Sequence, residues 1–166
     1  MISKTYIEQN LKQLDVRFRK AKTPKQNLYY SKIAILELCG WIELSQDDLL
    51  RRVTRKKLSS QKNLEAFEVD VIKKNSGFGY PHHFRKMLIH AVGLINVEKI
   101  ELNVDQQKKA AFEAELNTLW ITRNSLAHTY IKGTASAIDA PSMTIARFAK
   151  VYNGIKEFES VIFKTI

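Results

Sequence analysis

Apolar residues recur along this chain at helical rather than alternating spacing, in long runs with few breakers between them. The spacing predicts a first helix from about Ser3 to Lys20, closed by Thr23-Pro24. A longer one follows from about Lys25 to Lys57. It carries Leu28, Ile35, Leu38, Ile42 and Leu49 on one stripe and Ile33, Leu36, Gly40 and Leu50 on a neighbouring one. So wide an apolar face places this helix at the centre of a bundle, packed on more than one side. A shorter helix is predicted over about Gln61 to Lys74, then the Gly- and Pro-punctuated loop NSGFGYP, then a helix from about His82 to Ile95. A fifth, from about Asp105 to Tyr130, begins on an Asp suited to capping. Its stripe reads Phe112, Leu116, Leu119, Arg123, Leu126, Tyr130, so an arginine takes a core-facing slot. The last helix, about Ser142 to Phe163, aligns Ile145, Phe148, Tyr152, Ile155 and Ile162. There is no repeat, heptad array or low-complexity tract. The predicted fold class is all-α: an antiparallel up-down helical bundle of four core helices plus one or two accessory ones, forming a single domain over residues 1–166.

Composition adds charge to this picture. The 166 residues include 27 Lys+Arg against 17 Asp+Glu, a formal net charge of +10. The whole excess is local. RFRKAKTPK holds Arg17, Arg19, Lys20, Lys22 and Lys25, RRVTRKK holds Arg51, Arg52, Arg55, Lys56 and Lys57, and neither segment contains an acid. Such clusters attract a polyanion, nucleic acid first, because neutralising phosphates releases counterions. A solvated helix face is the plainer alternative. One Cys cannot close an internal disulfide, and MISKTYIEQN has neither the apolar core nor the cleavage site of a leader, so a cytoplasmic setting is expected. The longest apolar stretch, MLIHAVGLINV, is too short to cross a bilayer.

Familiar catalytic and metal motifs are missing from the sequence: no Gly-rich phosphate loop, no Cys pair, no His-Glu-x-x-His. Cys39, inside IAILELCGWI, reads as a small core residue. His82 and His83 point about 100° apart on a helix. His83 and His90 share a face without a neighbouring carboxylate, so neither a metal site nor a cofactor is expected. What remains is ITRNSLAHTY, with Arg123, Asn124 and His128 ending a strongly patterned helix. A buried guanidinium cannot shed its charge and needs a carboxylate or an anionic ligand. Glu43, between Leu36 and Leu50 on the long helix, is a candidate partner, which leaves a structural ion pair as one reading of Arg123. His128 lies about 140° around the helix from Arg123 and stacks over Asn124. One helix therefore does not easily aim both side chains at one atom, and two copies meeting across a two-fold axis would line a composite cleft. RNA cleavage suits such a cleft. The 2′-hydroxyl supplies an internal nucleophile, a His can move protons near neutral pH, and an Arg can stabilise the developing phosphorane without a metal.

Arg-x-x-x-x-His with Asn after the Arg and Ala before the His, here RNSLAH, resembles the HEPN superfamily (higher eukaryotes and prokaryotes nucleotide-binding). The long helix containing AILELCGWIE, a Phe-Arg-Lys-rich helix before the motif and a Pro-Ser start to the last helix are similar to its RiboL-PSP-HEPN bacterial branch, over about Tyr29 to Phe163. The resemblance implies a homodimer joined along the motif-bearing helices and a metal-independent endoribonuclease. Arg123 and His128 are then the catalytic pair, Asn124 and Glu43 support them, and the two basic clusters are the expected RNA contacts. It also implies a toxin or phage-defence role, with an antitoxin or defence-complex partner. Other members of the superfamily only bind nucleotides or scaffold. A non-catalytic RNA- or nucleotide-binding module therefore remains the second expectation, ahead of a helix-turn-helix DNA binder.

Overall fold

A computed structural model describes residues 1–127 and 138–166. The described residues form α1 (Thr5–Arg19), α2 (Pro24–Lys57), α3 (Gln61–Phe67), α4 (Arg85–Val92), α5 (Leu94–Asn103), α6 (Gln106–Ala127) and α7 (Pro141–Thr165). π-helical turns over Glu68–Ile72 and Tyr80–Phe84 extend α3 and lead into α4. No strand occurs among the described residues, so the fold is all-α. No helix among them is long and apolar enough to cross a membrane.

Local chemistry sets the starts of α2 and α6. Thr23-Pro24 opens α2 rather than merely closing α1. The Thr23 Oγ1 accepts a hydrogen bond from the Gln26 amide at 3.2 Å, and Pro24 occupies the first turn, where its missing N–H costs nothing. Asp105 acts as the sequence suggests: its Oδ1 accepts from the Lys108 amide at 2.9 Å at the start of α6.

The helix predicted over His82–Ile95 is corrected. Gly93, at φ 79°, sits in backbone that L-residues rarely adopt, and it divides the segment into α4 and an additional helix, α5. Leu94 and Ile95, which look like a continuation of the apolar run, are exposed, while Val97 and Ile100 are buried instead. Periodicity across the break could not reveal the change of direction.

Helix α2 packs against α1, α7, α6 and α4. Ile35, Leu38, Ile42 and Leu49 are buried, as their stripe required, with Leu28 at its start half-buried; Leu50 of the neighbouring stripe is buried too. The earlier residues of that second stripe fare differently. Ile33 and Gly40 are exposed, and with Tyr29 and Leu44 they leave part of α2 uncovered. The core is joined by an aromatic group in which Phe158 lies 5.4 Å from Tyr80, 5.6 Å from Phe84 and 5.7 Å from Phe112 by ring centroids. Such ring pairs add modestly to the free energy of burial. This core holds the α2–α6 seam in place, and Arg123 lies along that seam.

Candidate anion site around Arg123

Helices α2 and α6 meet where the buried Cys39 thiol points at the Leu119 carbonyl, 3.9 Å away. On α6, Phe112, Leu116, Leu119 and Leu126 are buried on the predicted stripe, whereas Arg123, in the same register, is only half-buried. Its long side chain allows the backbone to face inward while the guanidinium reaches the edge. The guanidinium carbon lies 5.8 Å from the Trp120 ring centroid, and Nη1 donates to the Asn124 Oδ1 at 3.2 Å. Trp120 precedes Arg123 by three residues, the spacing that stacks side chains on one helix face, so this contact was readable from the sequence and was missed.

No ion pair joins Arg123 to any carboxylate among the described residues, Glu43 included. The Glu43–Arg123 salt bridge considered above is thus not formed. The two residues are nevertheless neighbours: both act on Cys39, Arg123 favouring its thiolate and Glu43 opposing it. Burial dominates both effects and pushes the Cys39 thiol up to about 12, which suits the core role expected of it. One turn beyond Glu43, burial pushes the Asp47 carboxyl up to about 6, with Arg51 opposing the shift and Glu43, Glu68 and Asp48 adding to it.

Trp120 also contacts a residue that the sequence did not connect to the motif. The His83 imidazole lies 4.8 Å from the Trp120 ring, and Phe78 meets the same indole edge-on at 5.6 Å. Gly77 makes this possible. A methyl group there would lie 2.6 Å from the Trp120 Cζ3 and 2.5 Å from the His83 Nε2. Burial lowers the His83 pKa, and its Nδ1 has no hydrogen-bond partner. His82 and His90 are exposed. His128 and Tyr130 lie outside the described residues.

The basic clusters are less free than their composition suggests. Arg51 is held by the Glu68 carboxylate through Nε at 2.8 Å and Nη2 at 3.0 Å, and by Asp48 through Nη1 at 3.1 Å. Arg52 pairs with Glu159 at 2.5 Å, and Arg19 pairs with Asp15. Lys56 sits over the Phe163 ring at 5.3 Å. Arg17, Lys20, Arg55 and Lys57 are exposed and form no ion pair with a described residue. Glu68 and Glu159 come from distant segments, whereas Asp15 and Asp48 lie one helical turn before their arginines, just outside the segments whose charge was counted. What the arrangement offers at the seam is a cation backed by an indole and an amide, with no carboxylate among the described residues in ion-pair contact with it. Comparison of the chain with family models, curated proteins and solved structures finds no match.

Proposed function

We propose that the protein is a metal-independent endoribonuclease of the HEPN type, an antiparallel up-down bundle that acts as a homodimer. One observation carries this reading. Arg123 is held at the end of a core helix by Trp120 and Asn124 without any carboxylate within ion-pair distance among the described residues, which leaves its charge for an anionic ligand. The RNSLAH motif supplies His128 five residues later.

In the proposed reaction a ribose 2′-hydroxyl loses its proton to a histidine and its oxygen attacks the adjacent phosphorus. The bond to the 5′-oxygen of the next nucleotide breaks, and that oxygen takes up a proton from a second acid. The products are a 2′,3′-cyclic phosphate and a 5′-hydroxyl. Arg123 stabilises the charge on the non-bridging oxygens, and Asn124 holds the guanidinium in orientation. Two His128 residues brought together by a two-fold axis would supply base and acid. Arg17, Lys20, Arg55 and Lys57 are the charges left to attract RNA, with a toxin or defence role and a restraining partner as the biological setting.

The alternative, a non-catalytic nucleic-acid-binding module, drew on a structural Glu43–Arg123 pair, and that contact is not formed. The deciding experiment incubates purified protein with single-stranded RNA in excess chelator. Cleavage yielding cyclic-phosphate ends, lost in both Arg123→Ala and His128→Ala with folding intact, is the expected result. Binding without turnover by the unaltered protein overturns the catalytic reading.

A further inference from the structure

A long arginine side chain has many rotamers, and Arg123 has no carboxylate in ion-pair contact among the described residues to select one. Its charge is placed instead by the Asn124 amide, which binds one guanidinium nitrogen, and by the Trp120 indole beside it. Trp120 is itself only half-buried, so its own orientation has to be fixed by something else. A short segment between the two π-helical turns does this. The Asn75 Nδ2 donates to the Gly77 carbonyl at 2.7 Å, and the Nε2 of Gln46, fully buried on α2, donates to the Phe78 carbonyl at 3.0 Å. The segment is thereby tied to itself and to α2. It delivers the buried Phe78 edge-on to the indole and leads into the turn that carries His83. The His83 amide donates to the Gly79 carbonyl at 3.0 Å, and a methyl at Gly79 would lie 3.3 Å from the ring Nδ1. The imidazole is confined between this segment and the indole. Two rings hold Trp120, and Trp120 holds Arg123.

Of the two rings, Phe78 also serves the core, whereas His83 meets the indole from the edge of an open cleft that Asp70, Lys74, Lys86 and His90 line as well. The charges around it decide which form of the ring serves. His82, Lys86 and His90 stand on its own turn and on α4, and Arg123 stands on α6 against the same indole. Asp70, the one acid among the described lining residues of the cleft, is bound to Lys74 at 2.6 Å. An imidazolium would therefore bring a second cation to the indole that Arg123 uses, beside Lys86 and with no free carboxylate to offset it. The neutral ring keeps the contact without that repulsion. Burial lowers the His83 pKa, the Gly79 backbone opposes this, and His82 and Lys86 add to the lowering.

We propose that His83 is a positioning residue: as a neutral ring it holds Trp120, and through Trp120 it sets the Arg123 guanidinium against the scissile phosphate. The effect on cleavage rests on the endoribonuclease reading, whereas the placement of the guanidinium does not. The test compares His83→Ala, which removes the ring, with His83→Phe, which keeps a neutral one, each with folding confirmed by melting curves. In RNA cleavage with excess chelator, His83→Ala is expected to lower kcat about tenfold or more with KM within about twofold, because a misplaced guanidinium fails the transition state rather than binding. His83→Phe is expected to restore most of the rate. In a Trp120→Leu background, His83→Ala should have no further effect, as befits a residue that acts through the indole. The readout independent of activity is the NMR signal of the Arg123 Nε–H, which lies in the ring current of Trp120. Its shift is expected to be lost in His83→Ala and kept in His83→Phe. In the unaltered protein and in His128→Ala it should move with a midpoint below about 6.5, the ordinary imidazole value, and in His83→Phe it should not. If the unaltered protein cleaves no RNA, the nuclease reading fails and the Arg123 signal still decides this proposal. The proposal is overturned if His83→Ala leaves that signal in place, if phenylalanine restores nothing that alanine removes, or if His83→Ala acts equally with and without Trp120.

Discussion

Asp47 shows how one side chain links the seam to stability. Burial and three neighbouring carboxylates raise its pKa to about 6, against an unfolded value near ~4. Below about pH 4 the group is protonated in both states and contributes no penalty. As pH rises through about 6 the unfolded chain has already released the proton, and the folded protein loses stability by holding a buried carboxylate. A shift of that size corresponds to at most about 3 kcal/mol, reduced to about 1–2 kcal/mol by solvent at a side chain that is 17% exposed. Asp47→Asn is therefore expected to raise the melting temperature at pH 7.5 and to leave it unchanged at pH 4. An equal gain at both pH values would contradict this account. Cys39 gives a second residue-scale expectation. Buried, with its thiol pushed up to about 12, it should resist alkylation in the native protein and react promptly in denaturant.

Among the elements, two glycines in long helices behave oppositely because of what surrounds them. A methyl at Gly154 of α7 would lie 2.5 Å from the Phe112 Cβ on α6, so close approach of the two helices depends on its absence. Gly154→Ala should cost about 1–3 kcal/mol in denaturant unfolding through overpacking. Gly40, in the middle of α2, has nothing within 4 Å of an added methyl. Gly40→Ala should add about 0.5–1 kcal/mol by removing glycine's excess entropy in the unfolded chain. The sequence presents both simply as glycines inside apolar patterns. Only the packing of α7 on α6 separates them. The same limit explains α5: the apolar residues on either side of Gly93 form a continuous pattern, and only a backbone with positive φ shows that two helices meet there.

At the scale of the whole molecule, the +10 divides into charges that hold the fold and charges that remain free. Arg52→Ala would leave Glu159, buried on α7, without its principal partner, and is expected to cost about 1–3 kcal/mol of stability. Removing Arg55 or Lys57 should leave stability unchanged. If RNA runs along that end of α2, each removal should also lower the salt dependence of RNA binding by about one unit of the logarithmic slope. Melting curves and binding titrations across salt concentrations would separate the two groups, and equal stability losses at Arg52 and Arg55 would refute the division.

The helical class, the extent of α1, α2 and α7, the start of α6, the burial of Cys39 and the register of Arg123 were all legible in the sequence. They follow from the 3.6-residue period and from capping residues, which act over a few positions. The pairing of Arg51 and Arg52 with distant acids, the exposure of Ile33 and Gly40 and the stacking of His83 on Trp120 were decided by the tertiary structure. Each depends on which helix covers which face, and that is determined by contacts between residues far apart in the chain.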